Sequence, residues 1–361
     1  MNSHYEAPLD ESIFLLKEVI EWKTLFEYPA FNHVDEDLAT AVLSEAAKFT
    51  SEVLAPLNEI GDSQGSRLID GKVVTPDGFR QAYADFIESG WPGLDMPEKY
   101  GGQALPLSVQ VAFAEMVNGA CISFGMLPIM LRAAATLLLE HGGTEIIDRV
   151  VPNLVSGKWG ATICITEAQA GSDVGRIKTL ARPQADGSYH LSGSKIFISY
   201  GDHDLTNQIT HLVLARTPDA PAGTRGISLF LVPKIHFDSD SQNQVSVSRL
   251  EKKMGLKASP TCVLDLDEAV AYRIGEENRG LNCMFTMVNL MRLEVSIQGP
   301  AIASAACRKA LAYARERMQG GAPDKKALPI IEHADVRRML YIMRARTEAM
   351  RALVFEAAFN L

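Results

Sequence analysis

The chain has 361 residues, a formal net charge of −9 at neutral pH, and 47% hydrophobic against 22% charged residues. This length exceeds the needs of one small core, so it predicts two or three domains of ordinary globular composition. The acidic charge argues against a general nucleic-acid-binding protein, which is normally basic. A local basic cluster could still hold a phosphate-bearing ligand.

Cysteine usage and the N-terminus indicate a cytoplasmic protein. The cysteine count is odd and no CxxC pair occurs, which predicts reduced thiols and no disulfide framework. We find no metal-ligand spacing and therefore expect no metal. The first residues are polar and acidic, without the basic and apolar regions of a signal peptide, and no apolar run reaches transmembrane length. We expect a soluble protein with no membrane span.

The hydrophobic pattern divides the chain into three predicted regions. Residues 1–156 are typical of a helical domain. In residues 157–275 the pattern changes to short apolar strands with turns such as Asp186-Gly187, which predicts an antiparallel β-barrel or sandwich. Residues 276–361 return to a helical pattern and form the start of a helical bundle. The predicted fold class is therefore α+β and multidomain.

The last region predicts two long helices. One covers Met287 to Arg317 with a kink at Gly299-Pro300, and another begins after Pro329. The second helix reaches Leu361 without a glycine or proline stop. That pattern indicates either a truncated chain or an ordinary frayed C-terminal helix.

The most informative segment runs from Ile163 to Val174 and has the pattern of a strand that ends in a polar turn. Thr166 and Ser172 supply hydroxyls, Gly171 permits close approach to the backbone, and Asp173 can cap the loop. This combination suits a polar heteroaromatic ligand. Without further information, an ordinary turn at the barrel edge is the favoured explanation of the segment.

The literal string resembles a known signature. Residues 166–174 read TExxAGSDV, which is similar to the signature of the acyl-CoA dehydrogenase family. Four further stretches resemble that family in the same order, so the resemblance covers essentially the whole chain: 90–102, 193–199, 252–261 and Met291-Arg292. Other details resemble a long bacterial branch of the family. The resemblance implies an N-terminal helical domain, a central β-barrel and a C-terminal four-helix bundle, here incomplete.

The resemblance also implies FAD as cofactor and assigns residues to it. Ile163 and Ile165 would meet the flavin ring through backbone groups, together with Thr166, Gly171 and Ser172. Phe197 would stack near the ring and Ser199 would hydrogen-bond near the flavin N5; many relatives have Trp and Thr there. From its period alone, Phe197 is instead an aromatic residue of the barrel core. Arg317 matches an arginine that reaches the FAD of a neighbouring subunit, although the residues after it depart from the pattern.

The residues implied at the acyl-CoA substrate are Ser172, Asn289 and Arg292. Asn289 and Arg292 are three positions apart and should share one helix face. The alternative for Arg292 is a structural salt bridge with Glu294 or Glu251. A basic stretch could face the phosphates of CoA or lie in a solvated loop: Arg249, Lys252, Lys253 and Lys257.

The implied reaction is α,β-oxidation of an acyl-CoA thioester to the 2-enoyl-CoA. It needs a base for the α-proton and a hydride acceptor for the β-hydride. The family usually takes the base from a glutamate further downstream, which we expect beyond Leu361. Some relatives place a glutamate just before the arginine, where this chain has Met291. Glu294 is a weak substitute, so the catalytic residue is unknown and we expect little turnover from the chain as it stands.

Two functions stay open at this point. One is an FAD-dependent acyl-CoA dehydrogenase that passes electrons to electron-transfer flavoprotein or a similar acceptor. The other is a non-catalytic or partner-dependent subunit of the same fold that binds acyl-CoA and flavin. In either case the resemblance implies a homo-oligomer or a heteromer.

Overall fold

The computed structural model describes residues 5–239, 241–322, 324 and 326–361. The α-helices within these residues are α1 (Leu9–Phe14), α2 (Glu36–Phe49), α3 (Ala55–Gln64), α4 (Phe79–Glu88), α5 (Leu107–His141), α6 (Thr144–Val155), α7 (Gly280–Glu316) and α8 (Ala334–Phe359). Helix α2 shows how local sequence sets an end: the Asp35 side chain accepts a hydrogen bond from the Leu38 amide at 2.7 Å.

The strands are β1 (Arg67–Ile69), β2 (Lys72–Val74), β3 (Trp159–Cys164), β4 (Leu180–Pro183), β5 (Tyr189–Ser199), β6 (Gln208–Ala215), β7 (Ser228–Pro233), β8 (Val245–Leu250) and β9 (Thr261–Ile274). Strands β1 and β2 form a small hairpin, and the other seven form one sheet.

The seven-stranded sheet has the order β3-β6-β7-β9-β5-β4, and β8 adds to β9. A bridge between Leu180 and Arg216 returns β4 to the end of β6, so the strands close into a barrel. The predicted turn at Asp186-Gly187 joins the antiparallel pair β4 and β5. The predicted antiparallel barrel is therefore confirmed, with one difference: β3 pairs with β6 in parallel.

Strands β6 and β7 are buried on both faces of the sheet, which explains the continuous apolar runs in them. Along β6, Val213 belongs to one buried cluster with Phe230 and Leu264. Its neighbours Leu212 and Leu214 belong to another, with apolar residues of α6. Successive side chains of a strand point to opposite faces, so both faces need apolar residues.

The described chain forms two compact units. The first comprises the N-terminal residues up to Asn58, Leu105–Ile122 and Leu293–Leu361; the second comprises Glu59–Ala104 and Ser123–Arg292. The sheet and all flavin-site residues predicted from the sequence except Arg317 lie in the second unit. The domain boundaries predicted from the sequence stay a prediction.

Helix α5 is long and apolar enough to cross a membrane, but 78% of its most apolar stretch is buried inside the protein. Such burial is typical of a core helix. Its backbone leaves the helical conformation at Cys121.

Helices α7 and α8 confirm the helical prediction for the last region. Helix α7 is longer than predicted and continues through Pro300. In the first unit, Arg351 of α8 is fully buried and pairs with Glu115 at 2.7 Å. Burial raises the pKa of Glu115, and the adjacent guanidinium of Arg351 offsets only part of this rise.

Candidate functional site

The first part of the site lies at the end of strand β3. Ile163 is partly buried on the strand, and Ile165 and Thr166 are partly buried just after it. The Ile165 carbonyl oxygen accepts a hydrogen bond from Lys195 Nζ at 3.1 Å. The Thr166 carbonyl oxygen accepts one from the Ile196 amide at 2.9 Å. The structure thus joins the two segments that the sequence predicted to meet one ligand.

The turn after Thr166 is closed by two reciprocal backbone bonds. The Glu167 amide donates to the Ala170 carbonyl oxygen at 3.1 Å, and the Ala170 amide donates back at 2.9 Å. The next residues, Gly171 and Ser172, are exposed. A Cβ atom added at Gly171 would meet no protein atom within 4 Å. Packing therefore does not require a glycine at 171, whereas close approach by a ligand would.

The second part of the site lies on strand β5, where the pairing with β9 is interrupted between Lys195 and Ile198. In this bulge Phe197 has a φ of +61° and its side chain is 59% exposed. Phe197 is therefore not a core aromatic residue. Bulges re-aim side chains, and a bulky residue with positive φ carries backbone strain that often marks a functional position. Ser199, at the end of the strand, pairs with Thr261.

A buried ion pair lies behind these two segments. Lys195 is fully buried, and its Nζ donates to Glu167 Oε1 at 2.8 Å and to the Leu214 carbonyl oxygen at 2.8 Å. Glu167 also accepts from the Thr179 hydroxyl at 2.6 Å, the Thr179 amide at 3.0 Å, the Lys178 amide at 2.7 Å and Gln169 Nε2 at 2.5 Å. Burial by itself would raise the pKa of Glu167, but Lys195 and these donors lower it to about 2. The carboxylate is therefore ionised at neutral pH.

The sequence analysis did not assign a role to Glu167 or Lys195. A signal for them was present in the strand pattern. Leu191 and Lys195 are both buried positions of β5. They are four residues apart, so their side chains point to the same, inward face of the strand. A lysine on that face needs an acidic partner, because lysine is almost never fully buried without one. Glu167, next to Thr166 in the signature, is that partner.

Two of the predicted substrate residues, Asn289 and Arg292, lie on helix α7, whereas Ser172 lies in the turn after β3. Asn289 and Arg292 are exposed, and Arg292 Nη1 donates to Asn289 Oδ1 at 3.3 Å. The guanidinium carbon also lies 5.5 Å from the ring centroid of Phe285. These two residues are the partners of Arg292 within the described chain, and neither Glu294 nor Glu251 forms an ion pair with it. Glu294 is 4% exposed.

The basic stretch is largely engaged with protein groups. Arg249 pairs with Glu251 at 2.9 Å, and Lys257 lies 3.4 Å from Asp62. Lys253 Nζ donates to the Thr261 hydroxyl at 2.9 Å, and burial lowers the pKa of this lysine. A role at CoA phosphates stays a prediction for this stretch.

Arg317 follows the end of α7 in the first unit. It is exposed, and its Nη2 donates to Gln319 Oε1 at 3.1 Å. Its predicted contact with a neighbouring subunit's cofactor stays a prediction.

Taken together, the second unit presents hydroxyls, an aromatic ring and an open glycine. Within the described chain, the hydroxyls of Thr166, Ser172 and Ser199 form no hydrogen bond to protein groups, although all are at least partly exposed. Free hydroxyls can donate or accept, and an exposed ring offers a stacking surface. These residues fit a planar, polar heteroaromatic ligand.

Comparison with known families defines the class of this fold. Three family models match consecutive parts of the chain: the acyl-CoA dehydrogenase N-terminal domain over residues 37–158, the middle domain over 162–269, and the C-terminal domain over 278–361. The middle domain covers most of the barrel and both segments of the candidate site.

Individual relatives agree. The chain is 44% identical over 356 residues to 3-methylmercaptopropionyl-CoA dehydrogenase of Ruegeria pomeroyi, covering 97% of this chain and 60% of that protein. It is 30% identical over 335 residues to cyclohexane-1-carbonyl-CoA dehydrogenase of Geobacter metallireducens, covering 91% and 79%. The structure of butyryl-CoA dehydrogenase from Megasphaera elsdenii matches with a TM-score of 0.76 at 24% identity, covering 89% and 79%.

The chain belongs to the acyl-CoA dehydrogenase family. It spans 60–62% of the length of the first four curated relatives it matches. The family membership confirms the resemblance read from the signature at residues 166–174.

Proposed function

We propose that this protein is an FAD-dependent acyl-CoA dehydrogenase that oxidises an acyl-CoA thioester to the 2-enoyl-CoA. One observation carries the proposal: the signature turn and the bulged strand β5 are joined by the bond between the Ile196 amide and the Thr166 carbonyl oxygen. That bond places the free Thr166 hydroxyl and the exposed Phe197 ring on adjacent segments. Family membership supplies the class of reaction.

The residues that would hold FAD are those of the second unit described above. The Thr166 and Ser199 hydroxyls would bond polar edges of the flavin ring, and Phe197 would cover part of its face. Gly171 would leave room for close approach, and Ser172 would contact either ligand. When bound, FAD would supply the hydride acceptor that no side chain of a protein can provide.

Arg292 would bind the acyl-CoA. Its guanidinium is exposed, is held by the neutral Asn289, and has no carboxylate partner in the described chain. An arginine in this state can still donate a charge-assisted bond to a phosphate or carbonyl oxygen of the ligand.

The catalytic base stays a prediction. Met291 cannot accept a proton, and Glu294 is buried rather than on the exposed stripe of Asn289 and Arg292. The electron acceptor is proposed to be electron-transfer flavoprotein or a similar protein, and the protein to be a cytoplasmic homo-oligomer or heteromer. All five cysteines are free thiols, which supports a reducing compartment.

The test is an assay with an artificial electron acceptor, FAD-loaded protein and saturated acyl-CoA thioesters of several chain lengths. Turnover that yields 2-enoyl-CoA supports the proposal. Tight binding of FAD and acyl-CoA without turnover would support the ligand assignment and leave the non-catalytic subunit as the alternative. If turnover occurs and Glu294→Gln abolishes it, the base lies on α7; if Glu294→Gln has no effect, Glu294 is only a buried structural carboxylate.

A further inference from the structure

We propose that the buried pair Glu167–Lys195 is a positioning device that holds the flavin-binding segments in register. The inference rests on the proposed function, because it assigns the pair a role toward the same cofactor. Neither residue is itself a predicted flavin contact. Both act through the groups they bond.

The ammonium of Lys195 joins three parts of the barrel. Its three donors match three acceptors: Glu167 Oε1 at 2.8 Å, the Leu214 carbonyl oxygen at 2.8 Å and the Ile165 carbonyl oxygen at 3.1 Å. An ammonium carries three donors, so none is left over. One side chain of β5 therefore fixes the end of β6 and the backbone just before Thr166.

The carboxylate of Glu167 fixes the other side. Its Oε1 accepts from the Thr179 hydroxyl at 2.6 Å and the Thr179 amide at 3.0 Å, and Oε2 accepts from the Lys178 amide at 2.7 Å. These bonds tie the two ends of the loop from 167 to 179 together. That loop carries Gly171 and Ser172, both of which are exposed.

The position of Lys195 in strand β5 connects the ion pair to the bulge that carries Phe197. The next residue, Ile196, donates its amide to the Thr166 carbonyl oxygen, and Phe197 then takes its positive φ of +61°. The bulge turns the Phe197 ring outward immediately after the anchored lysine. The turn after β3 and strand β5, which the pair joins, thus carry the free hydroxyls, the open glycine and the exposed ring.

Stability alone is a poor reason for such a pair. Two buried charges lose their hydration, and replacing both by neutral groups of similar size is often neutral or stabilising, whereas removing one partner is strongly destabilising. Fixed geometry is a better reason, because binding groups must be held within roughly half an ångström by bonds behind them. Lys195 also keeps Glu167 ionised, with the pKa of the carboxyl lowered to about 2, whereas burial lowers the pKa of Lys195 and Glu167 opposes that shift.

The experiment compares Lys195→Met, Glu167→Gln and the double variant by two readouts. One is the dissociation constant for FAD, measured by quenching of flavin fluorescence. The other is urea unfolding of the flavin-free protein. We expect both single variants to unfold at lower urea. We expect the double variant to recover most of the stability but to bind FAD roughly 10- to 100-fold more weakly, the loss typical when the outer groups that orient the ligands of a metal site are removed.

Two further variants complete the design. Glu115→Gln with Arg351→Met neutralises an equally buried ion pair in the other unit, with side chains 0% and 1% exposed, and should leave the FAD dissociation constant unchanged. Thr179→Val removes only one hydroxyl bond to Glu167 and covers the case in which a charged-pair variant fails to fold. It should weaken FAD binding by several-fold.

A double variant that binds FAD as tightly as the unaltered protein would show that the pair is purely structural. Equal weakening by the control pair would also overturn the inference, since any buried pair would then have the effect. The unaltered protein failing to bind FAD at all is a different result. It would reject the proposed function and, with it, the basis of this inference.

Discussion

Two buried histidines should make this protein acid-sensitive. His203 and His211 are 2% and 1% exposed, and burial, reinforced by nearby Lys234, lowers the pKa of each from 6.5 to about 3. The neutral imidazole is further fixed at His211, whose Nδ1 lies 2.8 Å from the Thr162 hydroxyl. Between pH 6.5 and 3 the unfolded chain binds protons that the folded chain excludes. The stabilisation is therefore complete above about pH 6.5 and is lost as the pH falls toward 3.

The magnitude follows from 1.36 kcal/mol per pH unit. At pH 5 the solution is about 1.5 pH units below the unfolded-state pKa of each histidine. Lowering the pH from 7 to 5 therefore lowers the free energy of unfolding by about 2 kcal/mol for each histidine and by about 4 kcal/mol for the two together. This is a large part of the free energy of unfolding of a typical protein, which is roughly 5–15 kcal/mol.

The assay is urea unfolding followed by far-UV circular dichroism at pH 7, 6 and 5. His211→Asn keeps a polar group near Thr162 but cannot titrate, so about 2 kcal/mol of the decline between pH 7 and 5 should disappear. His33→Asn is the matched control at an exposed position and should leave the decline unchanged. If the free energy of unfolding declined equally in His211→Asn and in the unaltered protein, the assignment of part of this decline to His211 would be wrong.

Three further predictions concern the proposed ligands. Thr166→Ala should weaken FAD binding by about 1 kcal/mol, since one hydrogen bond to the ligand is lost, and calorimetry showing an unchanged dissociation constant would contradict this. Phe197→Gly should leave the flavin-free protein as stable or about 1 kcal/mol more stable, because glycine accepts φ of +61°, while FAD binds more weakly; lower stability with unchanged FAD binding would be the opposite result. Arg292→Ala should weaken acyl-CoA binding by roughly 1.5–3 kcal/mol, whereas Arg182→Ala, on an exposed barrel pair with Glu268, should not; equal binding by both variants would argue against the role of Arg292.

Much of the barrel could be predicted because its signals are local. The turn at Asp186-Gly187 and the apolar runs within β6 and β7 are properties of short segments, and the structure has each of them where the pattern indicates. The parallel pairing of β3 with β6 could not be predicted in the same way. It joins Ile163 to Leu212, 49 residues apart, and no local signal specifies the direction of such a pairing.

The candidate site shows the same division. The hydroxyls of Thr166 and Ser172 stand out in the sequence, and the structure leaves both free to bind a ligand. The bulge that exposes Phe197 does not stand out in the sequence, because the alternation of residues along the strand predicts a core position for Phe197. The pair Glu167–Lys195 lies between these cases: a lysine in a buried strand phase signals a missing partner, but only the fold shows that the partner is the glutamate of the signature.

Titration of the flavin-free protein with FAD tests most directly whether the two segments joined at Thr166 and Ile196 form a flavin site. We expect saturable binding of one FAD per chain, with quenched flavin fluorescence and a shifted visible absorption spectrum. Thr166→Ala should shift the titration to higher FAD concentration. Free-flavin spectra at every protein concentration and buffer condition would show that these segments do not bind flavin.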